Sequence, residues 1–220
     1  MAELVRKNLL RIREEIEPCQ PRIIAVTKYF DKSAIIEAYE AGLRDFGESR
    51  ALEAIEKIRS LPEEIQQNSK FHFIGHLQSN KVKPVVENFD YIHSVDSYKL
   101  AQIISKTASD IGKVQNVLIQ INNACEEQKY GFSTDEVFEV FKKLKELEGI
   151  NIVGIMNMAP LGANEDVIHY LFSEMVKIRG KIEHENNCKL PEISMGMSQD
   201  YKIAAQEGST MLRIGRKLFT

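Results

Sequence analysis

The chain has 220 residues, of which 43% are hydrophobic and 28% charged, and its formal net charge at pH 7 is -3. These values are typical of one soluble globular domain, which we expect to span residues 1–220. The weak negative charge argues against general binding to nucleic acid or to an anionic membrane surface.

The cysteines and the N-terminal segment predict a cytoplasmic protein. Cys19, Cys125 and Cys188 lie far apart and form no Cys-x-x-Cys pair, so neither a disulfide framework nor a cysteine-rich zinc site is indicated. Residues 1–17 carry too many charges for the apolar region of a signal peptide. No uninterrupted apolar run reaches the roughly 18 residues of a membrane helix.

In chain order, an opening helix is followed by a repeated unit of one short apolar strand and one amphipathic helix. The predicted strands are 23–27, 43–47, 71–75, 91–95, 116–122, 150–156, 192–194 and 211–214. Four predicted helices have both ends defined, at 2–16, 48–59, 134–148 and 165–185. Another is capped by Asp31 or Ser33 and runs to Gly42. Two more begin at Ser79 and at about Ser97, and a last one ends at Glu207. This alternation predicts α/β architecture with a parallel sheet.

We expect the sheet to close into a single (β/α)₈ TIM barrel, because closure at this length leaves no exposed sheet edge. An open, doubly wound sheet is the alternative, since it also gives apolar strands covered by helices. In both architectures ligands bind at the carboxyl ends of the strands. The residues at those ends are therefore the candidates for function.

Lys28 directly follows the first predicted strand. Because side chains alternate along a strand, Ile24, Val26 and Lys28 share one face. If that face points into the barrel, partial burial exposes a nucleophilic amine of the kind that binds a carbonyl compound. The alternative is a lysine that leaves the strand for solvent.

Two segments near the C-terminus, 194–198 and 208–216, are rich in small and hydroxylated residues. Such residues at a helix start offer backbone N–H groups and a hydroxyl to an anion. In barrels the loops after strands seven and eight often bind phosphate. Ordinary caps and turns are the alternative. Arg213 stands inside an apolar strand, where a buried guanidinium needs hydrogen-bonding partners.

Motifs for a metal or for a catalytic nucleophile are not indicated. His72 and His76 fall on a strand and on the loop after it, so they do not share a helix face and predict no zinc site. His93 either lines the barrel mouth or packs inside the fold. The chain has no Gly-x-Ser-x-Gly, Gly-x-Gly-x-x-Gly or P-loop motif. We predict no metal site and assign no catalytic residue.

Seven segments carry a family resemblance. They are AVTK at 25–28, FGE at 46–48, HFIGHLQSNK at 72–81, HSVD at 93–96, IQIN at 119–122, SMGMSQD at 194–200 and GSTMLRIG at 208–215. Together, and in this order, they resemble the pyridoxal phosphate homeostasis proteins. The chain departs from the family pattern at Ser49, where the family usually has asparagine.

The resemblance implies a barrel like the N-terminal domain of alanine racemase, with pyridoxal 5′-phosphate (PLP) as the cofactor. By this likeness Lys28 holds PLP as a Schiff base, and Arg213 faces the pyridine nitrogen. Ser198, with the backbone of Gly215 and Arg216, binds the phosphate.

The same resemblance implies a PLP carrier or buffer in vitamin B6 and amino-acid homeostasis, without significant catalytic turnover. An arginine at the ring nitrogen disfavours protonation of that nitrogen and so restrains carbanion chemistry. Racemases add a tyrosine from a second domain, which we do not expect here. We also expect most of the seven tyrosines to lie away from the mouth.

PLP is the expected ligand, with PLP-dependent apoenzymes as recipients, and we expect a monomer or a weak homodimer. Two other functions remain open on sequence grounds. One is a small PLP-dependent amino-acid racemase, and the other is a phosphate-binding barrel that takes no PLP.

Overall fold

The computed structural model describes residues 2–124 and 130–220, so Cys125 lies outside the described residues. The strands are β1 Arg22–Val26, β2 Asp45–Glu48, β3 Lys70–Phe73, β4 Tyr91–Val95, β5 Gln115–Gln120, β6 Ile150–Met156, β7 Glu192–Met197 and β8 Met211–Ile214. The α-helices are α1 Ala2–Glu15, α2 Lys32–Glu40, α3 Ala51–Arg59, α4 Glu63–Gln67, α5 Val82–Asn88, α6 Tyr98–Asp110, α7 Thr134–Leu144, α8 Glu165–Asn186, α9 Tyr201–Gln206 and α10 Arg216–Phe219. A 3₁₀ turn at Ser79–Lys81 leads into α5.

The strands form a closed parallel barrel. Each strand pairs in parallel with the next, and β8 pairs in parallel with β1, where Ile24 stands opposite Arg213. The prediction of a (β/α)₈ TIM barrel is therefore confirmed, and the open-sheet alternative is wrong. Closure brings the segments that follow β1, β7 and β8 together at one end of the barrel.

Two hydrophobic cores stabilise the barrel, one on each side of the sheet. The larger core fills the space between the strands and the surrounding helices. The smaller one lies inside the barrel and contains Ile24, Leu118, Met156 and Met211, all of them buried. Gly47 of β2 also faces inward, where an added Cβ would lie 3.0 Å from a methyl group of Ile24. A larger residue at this position would displace the packing of the barrel interior.

The predicted bounds differ from the structure at some ends. Strands β4, β6 and β8 have the predicted bounds, whereas β7 continues to Met197, past the predicted end at 194. Helix α3 begins at Ala51 rather than at 48, because Glu48 is the last residue of β2 and its carboxylate is buried. The short helices α4 and α10 were not predicted, because five and four residues are too few to show helical periodicity.

Caps start several helices where the sequence indicates them. Asp31 caps α2, since its side chain accepts a hydrogen bond from Ser33 N. Ser133 forms a capping box with Glu136 at the start of α7. Among the helices that the structure describes, none has the length and apolar character that crossing a membrane requires.

Candidate functional site

A cavity of about 580 Å³ opens at the carboxyl edge of the barrel. All five residues predicted for a site contribute to its walls. The lining residues are Val26, Lys28, Tyr29, Phe30, Ser49, Ile74, Met158, Leu161, Met197, Ser198, Gln199, Arg213, Gly215 and Arg216. The structure thus brings together residues from both ends of the chain, because β1 and β8 are neighbours in the closed sheet.

Lys28 lies two residues beyond β1, on the face of Ile24 and Val26, and is half-buried in the cavity wall. Its Nζ lies 5.1 Å from the centre of the Tyr29 ring. Among the residues that the structure describes, no carboxylate forms an ion pair with this ammonium group. Lys28 therefore presents an amine that is not held by an acidic partner.

The backbone just before Lys28 is fixed by a buried ion pair. Lys57 Nζ lies 2.6 Å from Glu48 Oε1, and the side chains are only 13% and 2% exposed. Lys57 also donates to the carbonyl of Thr27 at 2.9 Å, and the Thr27 hydroxyl donates to Glu48 at 2.7 Å. The sequence did not reveal this arrangement, because Glu48 resembles the first residue of a helix.

Arg213 is buried beneath the cavity, with its guanidinium held by oxygen atoms on β7 and just after β6. Nη1 donates to the carbonyl of Ser194 at 2.8 Å and to the Ser194 hydroxyl at 2.5 Å. Nη2 donates to the carbonyl of Asn157 at 2.7 Å. Burial lowers the pKa of Arg213 to about 10, against an opposing effect of Asp200. The guanidinium therefore remains charged at neutral pH.

Ser198, Gly215 and Arg216 form one wall of the cavity where the loop after β7 meets the start of α10. Ser198 Oγ accepts hydrogen bonds from Gly215 N at 3.3 Å and, more weakly, from Lys217 N at 3.5 Å. Arg216 is the first residue of α10, and Gly215 precedes it. Two backbone N–H groups and a hydroxyl thus converge, as binding of an anion requires.

The turn that carries Ser198 is held from behind by β7 and α9. Asp200 Oδ1 accepts from Met197 N at 2.5 Å. Gly196 has a positive φ of 92°, and an added Cβ would lie 2.4 Å from the Cβ of Ala204. A residue other than glycine would therefore be strained and would push α9 away from the barrel.

The structure adds residues to the predicted site. Tyr29 lines the cavity and is 75% exposed, so it is an exception to the expectation that most tyrosines lie away from the mouth. His93 is fully buried inside the barrel, which confirms the second of its two alternatives, packing inside the fold. Met158 and Leu161 also line the cavity. Tyr29 follows Lys28 directly, and that adjacency is the signal that identifies it.

Candidate metal ligands do not cluster in the described part of the chain. Among residues 2–124 and 130–220, no group of three or more histidine, cysteine, aspartate or glutamate side chains is arranged to hold a metal ion. His76 lies on the surface, where Nδ1 contacts Asp96 at 3.1 Å and the ring stacks on Tyr130.

The fold and the site define a barrel of the alanine racemase N-terminal type. A family model described as the N-terminal domain of alanine racemase matches residues 2–220. PipY of Synechococcus elongatus, in its structure without PLP, superposes with a TM-score of 0.92 at 34% identity, covering 98% of this chain and 100% of that one. A second structure of PipY, with PLP bound, gives a TM-score of 0.88 at 34% identity over the same shares of the two chains.

Curated relatives of similar length share one name, "Pyridoxal phosphate homeostasis protein". The relative from Synechocystis sp. is 40% identical over 202 residues, which cover 92% of each chain. The relative from Aquifex aeolicus is 35% identical over 198 residues, covering 90% of this chain and 86% of that one. The chain belongs to the pyridoxal phosphate homeostasis protein family.

Proposed function

We propose that this protein binds PLP as a Schiff base on Lys28 and carries or buffers it, in support of vitamin B6 and amino-acid homeostasis. The observation that carries the proposal is the single cavity that joins Lys28, Arg213 and the Ser198 wall. Membership in the family supports it, as does the PLP-bound structure of the relative PipY.

The residues of the cavity fit the chemistry of PLP. Its phosphate needs hydrogen-bond donors, and the hydroxyl of Ser198 is one; the N–H of Gly215, which donates to Ser198 Oγ at 3.3 Å, lies beside it and would have to turn to the phosphate to be a second. Its pyridine nitrogen needs a donor if it is unprotonated. A guanidinium has five N–H groups, and Arg213 uses three of them in its hydrogen bonds within the described residues. When bound, PLP supplies an aldehyde that condenses with a primary amine and releases water.

The same residues favour retention of PLP over turnover. Arg213 remains charged at neutral pH, so protonation of the adjacent pyridine nitrogen would place two positive charges together in a buried site. An unprotonated pyridine withdraws electrons weakly, which restrains carbanion chemistry. The shared name of the curated relatives, which denotes homeostasis rather than a reaction, supports this interpretation. We further propose a cytoplasmic location and PLP-dependent apoenzymes as recipients.

A small amino-acid racemase is the second candidate, and Tyr29 is the observation that favours it. Racemisation requires an acid or base on each face of the substrate, and a tyrosine hydroxyl is one such group. Tyr29 lies in the cavity, but it neighbours Lys28 in the chain and its ring packs near the same amine. Because Tyr29 and Lys28 belong to one loop, they are poorly placed to act on opposite faces of a substrate.

We expect no appreciable D-isomer when PLP-loaded protein is incubated with each L-amino acid in heavy water. A positioned acid or base typically contributes about 10²–10⁴-fold, so the lack of a second one leaves trace rates. Chiral separation with mass analysis measures both configuration and deuterium uptake. Rapid D-isomer formation that Tyr29→Phe abolishes would establish the racemase instead.

The absorbance spectrum tests PLP binding itself. Purified protein titrated with PLP should develop the visible band of a Schiff base, and Lys28→Ala should abolish this band. Lys32→Ala, which alters a lysine on the nearby surface, is the matched control and should retain it. A colourless wild-type protein that binds inorganic phosphate would instead support the phosphate-binding barrel.

A further inference from the structure

A line of buried polar side chains crosses the interior of the barrel from β2 to β8. His72 Nε2 lies 2.9 Å from Asp45 Oδ1, and His72 Nδ1 lies 2.9 Å from His93 Nε2. His93 Nδ1 lies 2.9 Å from Ser194 Oγ, which accepts from Arg213 at 2.5 Å. Both histidines and the serine are fully buried. Four contacts thus connect the Arg213 guanidinium beneath the cavity to Asp45, the first residue of β2.

The carboxylate end of this line determines the direction of every hydrogen bond when both imidazoles are neutral. A carboxylate only accepts, and a neutral imidazole has one N–H donor and one acceptor nitrogen. His72 therefore donates its Nε2 proton to Asp45 and accepts on Nδ1 from His93 Nε2. His93 then accepts on Nδ1, so the Ser194 hydroxyl donates to His93 while its oxygen accepts from Arg213, whose guanidinium only donates.

This arrangement requires two neutral imidazoles, and the surroundings keep them neutral. Burial lowers the pKa of His72, although Asp45 opposes this effect. Burial lowers the pKa of His93 further, and the positive charges of Arg213 and Arg22 act in the same direction. A proton added to His72 would place two N–H groups in its contact with His93 and break that hydrogen bond.

We propose that Ser194, His93 and His72 are positioning residues for Arg213, in a network whose four hydrogen bonds all run from the guanidinium to Asp45. The Ser194 hydroxyl is the only side-chain acceptor that Arg213 has among the described residues, since its other acceptors are backbone carbonyls. The network therefore connects the orientation of Arg213 on β8 to Asp45 on β2 through side chains of β7, β4 and β3. The inference rests on the proposed function only for the identity of the ligand, PLP.

The protonation pattern is directly measurable in protein free of PLP. Long-range proton–nitrogen correlation spectra of protein with ¹⁵N-labelled histidine report the tautomer of each ring. We expect His72 and His93 to be neutral at neutral pH, each with its proton on Nε2. A proton on Nδ1 of either ring, or a charged ring, would overturn the network.

Variants at Ser194 test its effect on the ligand site, and Ser94 supplies the control. Ser94 lies beside His93 in β4, and its buried hydroxyl has no hydrogen-bond partner within the part of the chain that the structure describes. We expect Ser194→Ala to remove the single-tautomer signal of His93 and to shift the absorption band of PLP-loaded protein. Ser194→Thr, which keeps the hydroxyl, should retain both properties, and Ser94→Ala should change neither.

An unchanged His93 signal and an unchanged band in folded Ser194→Ala protein would overturn the positioning role. If that variant does not fold, the tautomers of the wild-type protein decide the proposal. Failure of the wild-type protein to take up PLP would contradict the proposed function alone, because the tautomers are measured without the ligand.

Discussion

At the scale of the residue, Lys28 and Lys57 show how surroundings assign different roles to the same side chain. Lys57 is buried against Glu48 and the carbonyl of Thr27, so its ammonium group is held by two acceptors. Lys28 is half-buried in the cavity and has no carboxylate partner among the described residues. An amine reacts with a carbonyl only after it loses its proton, which a carboxylate partner opposes. Lys28 is therefore the lysine that suits a Schiff base.

The Ser198 hydroxyl should contribute measurably to PLP affinity. It lies where Gly215 N and Lys217 N converge, so it is positioned to donate to a bound phosphate. A hydrogen bond to a charged group contributes about 1.5–3 kcal/mol, so Ser198→Ala should raise the Kd for PLP roughly 10- to 150-fold. Absorbance titration measures the change. Ser33→Ala removes an exposed hydroxyl near Asp31 and serves as the control. An unchanged Kd in Ser198→Ala would exclude this phosphate contact.

At the scale of the element, Glu48 joins β2 to β1 and α3. Its carboxylate accepts from Thr27, the residue just after β1, and from Lys57 of α3. The turn that presents Lys28 is thereby attached to its two neighbouring elements. A buried pair of this kind becomes strongly destabilising when one partner is removed, because the other charge is left unpaired.

We expect Glu48→Ala to lower the free energy of unfolding by about 3–5 kcal/mol, measured by chemical denaturation. Lys57→Met in the same chain should recover part of the loss, since it removes the unpaired charge. The exposed pair of Arg50 and Glu53 provides the comparison, and Glu53→Ala should change stability by about 1 kcal/mol or less. Equal effects of the two glutamate substitutions would show that burial of the Glu48 pair has no energetic consequence.

The sequence predicted elements well where a repeat of apolar residues was long or a cap was distinct, as in β6 and at the Asp31 cap of α2. It failed where a residue's role depends on a partner far along the chain. Glu48 resembles a helix start until its contact with Lys57 is known. The contact between His72 and His93 likewise depends on the register of β3 against β4, which single-strand patterns do not contain.

The five predicted site residues line one cavity because each lies near or just beyond the carboxyl end of a strand, and a barrel brings these strand ends together. Tyr29 was not predicted, because its adjacency to Lys28 places it near the cavity but does not give the direction of a side chain in a loop. The contact of Arg213 with Asn157 was also not predicted, because it uses a backbone carbonyl, which every residue type has.

At the scale of the whole molecule, the two buried histidines make stability depend on pH. Their pKa values are lowered in the folded barrel, against an ordinary value of 6.5. Below that pH the unfolded chain therefore binds more protons than the folded one, and acid favours unfolding.

We expect the free energy of unfolding to fall as the pH decreases below 6.5, by up to about 1.4 kcal/mol per pH unit for each histidine. Denaturant titrations over this range measure the slope, and His93→Gln should reduce it because glutamine does not ionise. A slope that is the same in wild-type and His93→Gln protein would show that His93 does not contribute.

The barrel as a whole places Lys28, Arg213 and Ser198 around a single cavity, and the central claim is that PLP bonds to Lys28 there. Borohydride reduction of PLP-loaded protein, followed by peptide mass analysis, tests this claim most directly. We predict one phosphopyridoxyl group, on the peptide that contains Lys28. A group on any other lysine, or no group on protein that has bound PLP, would contradict the account.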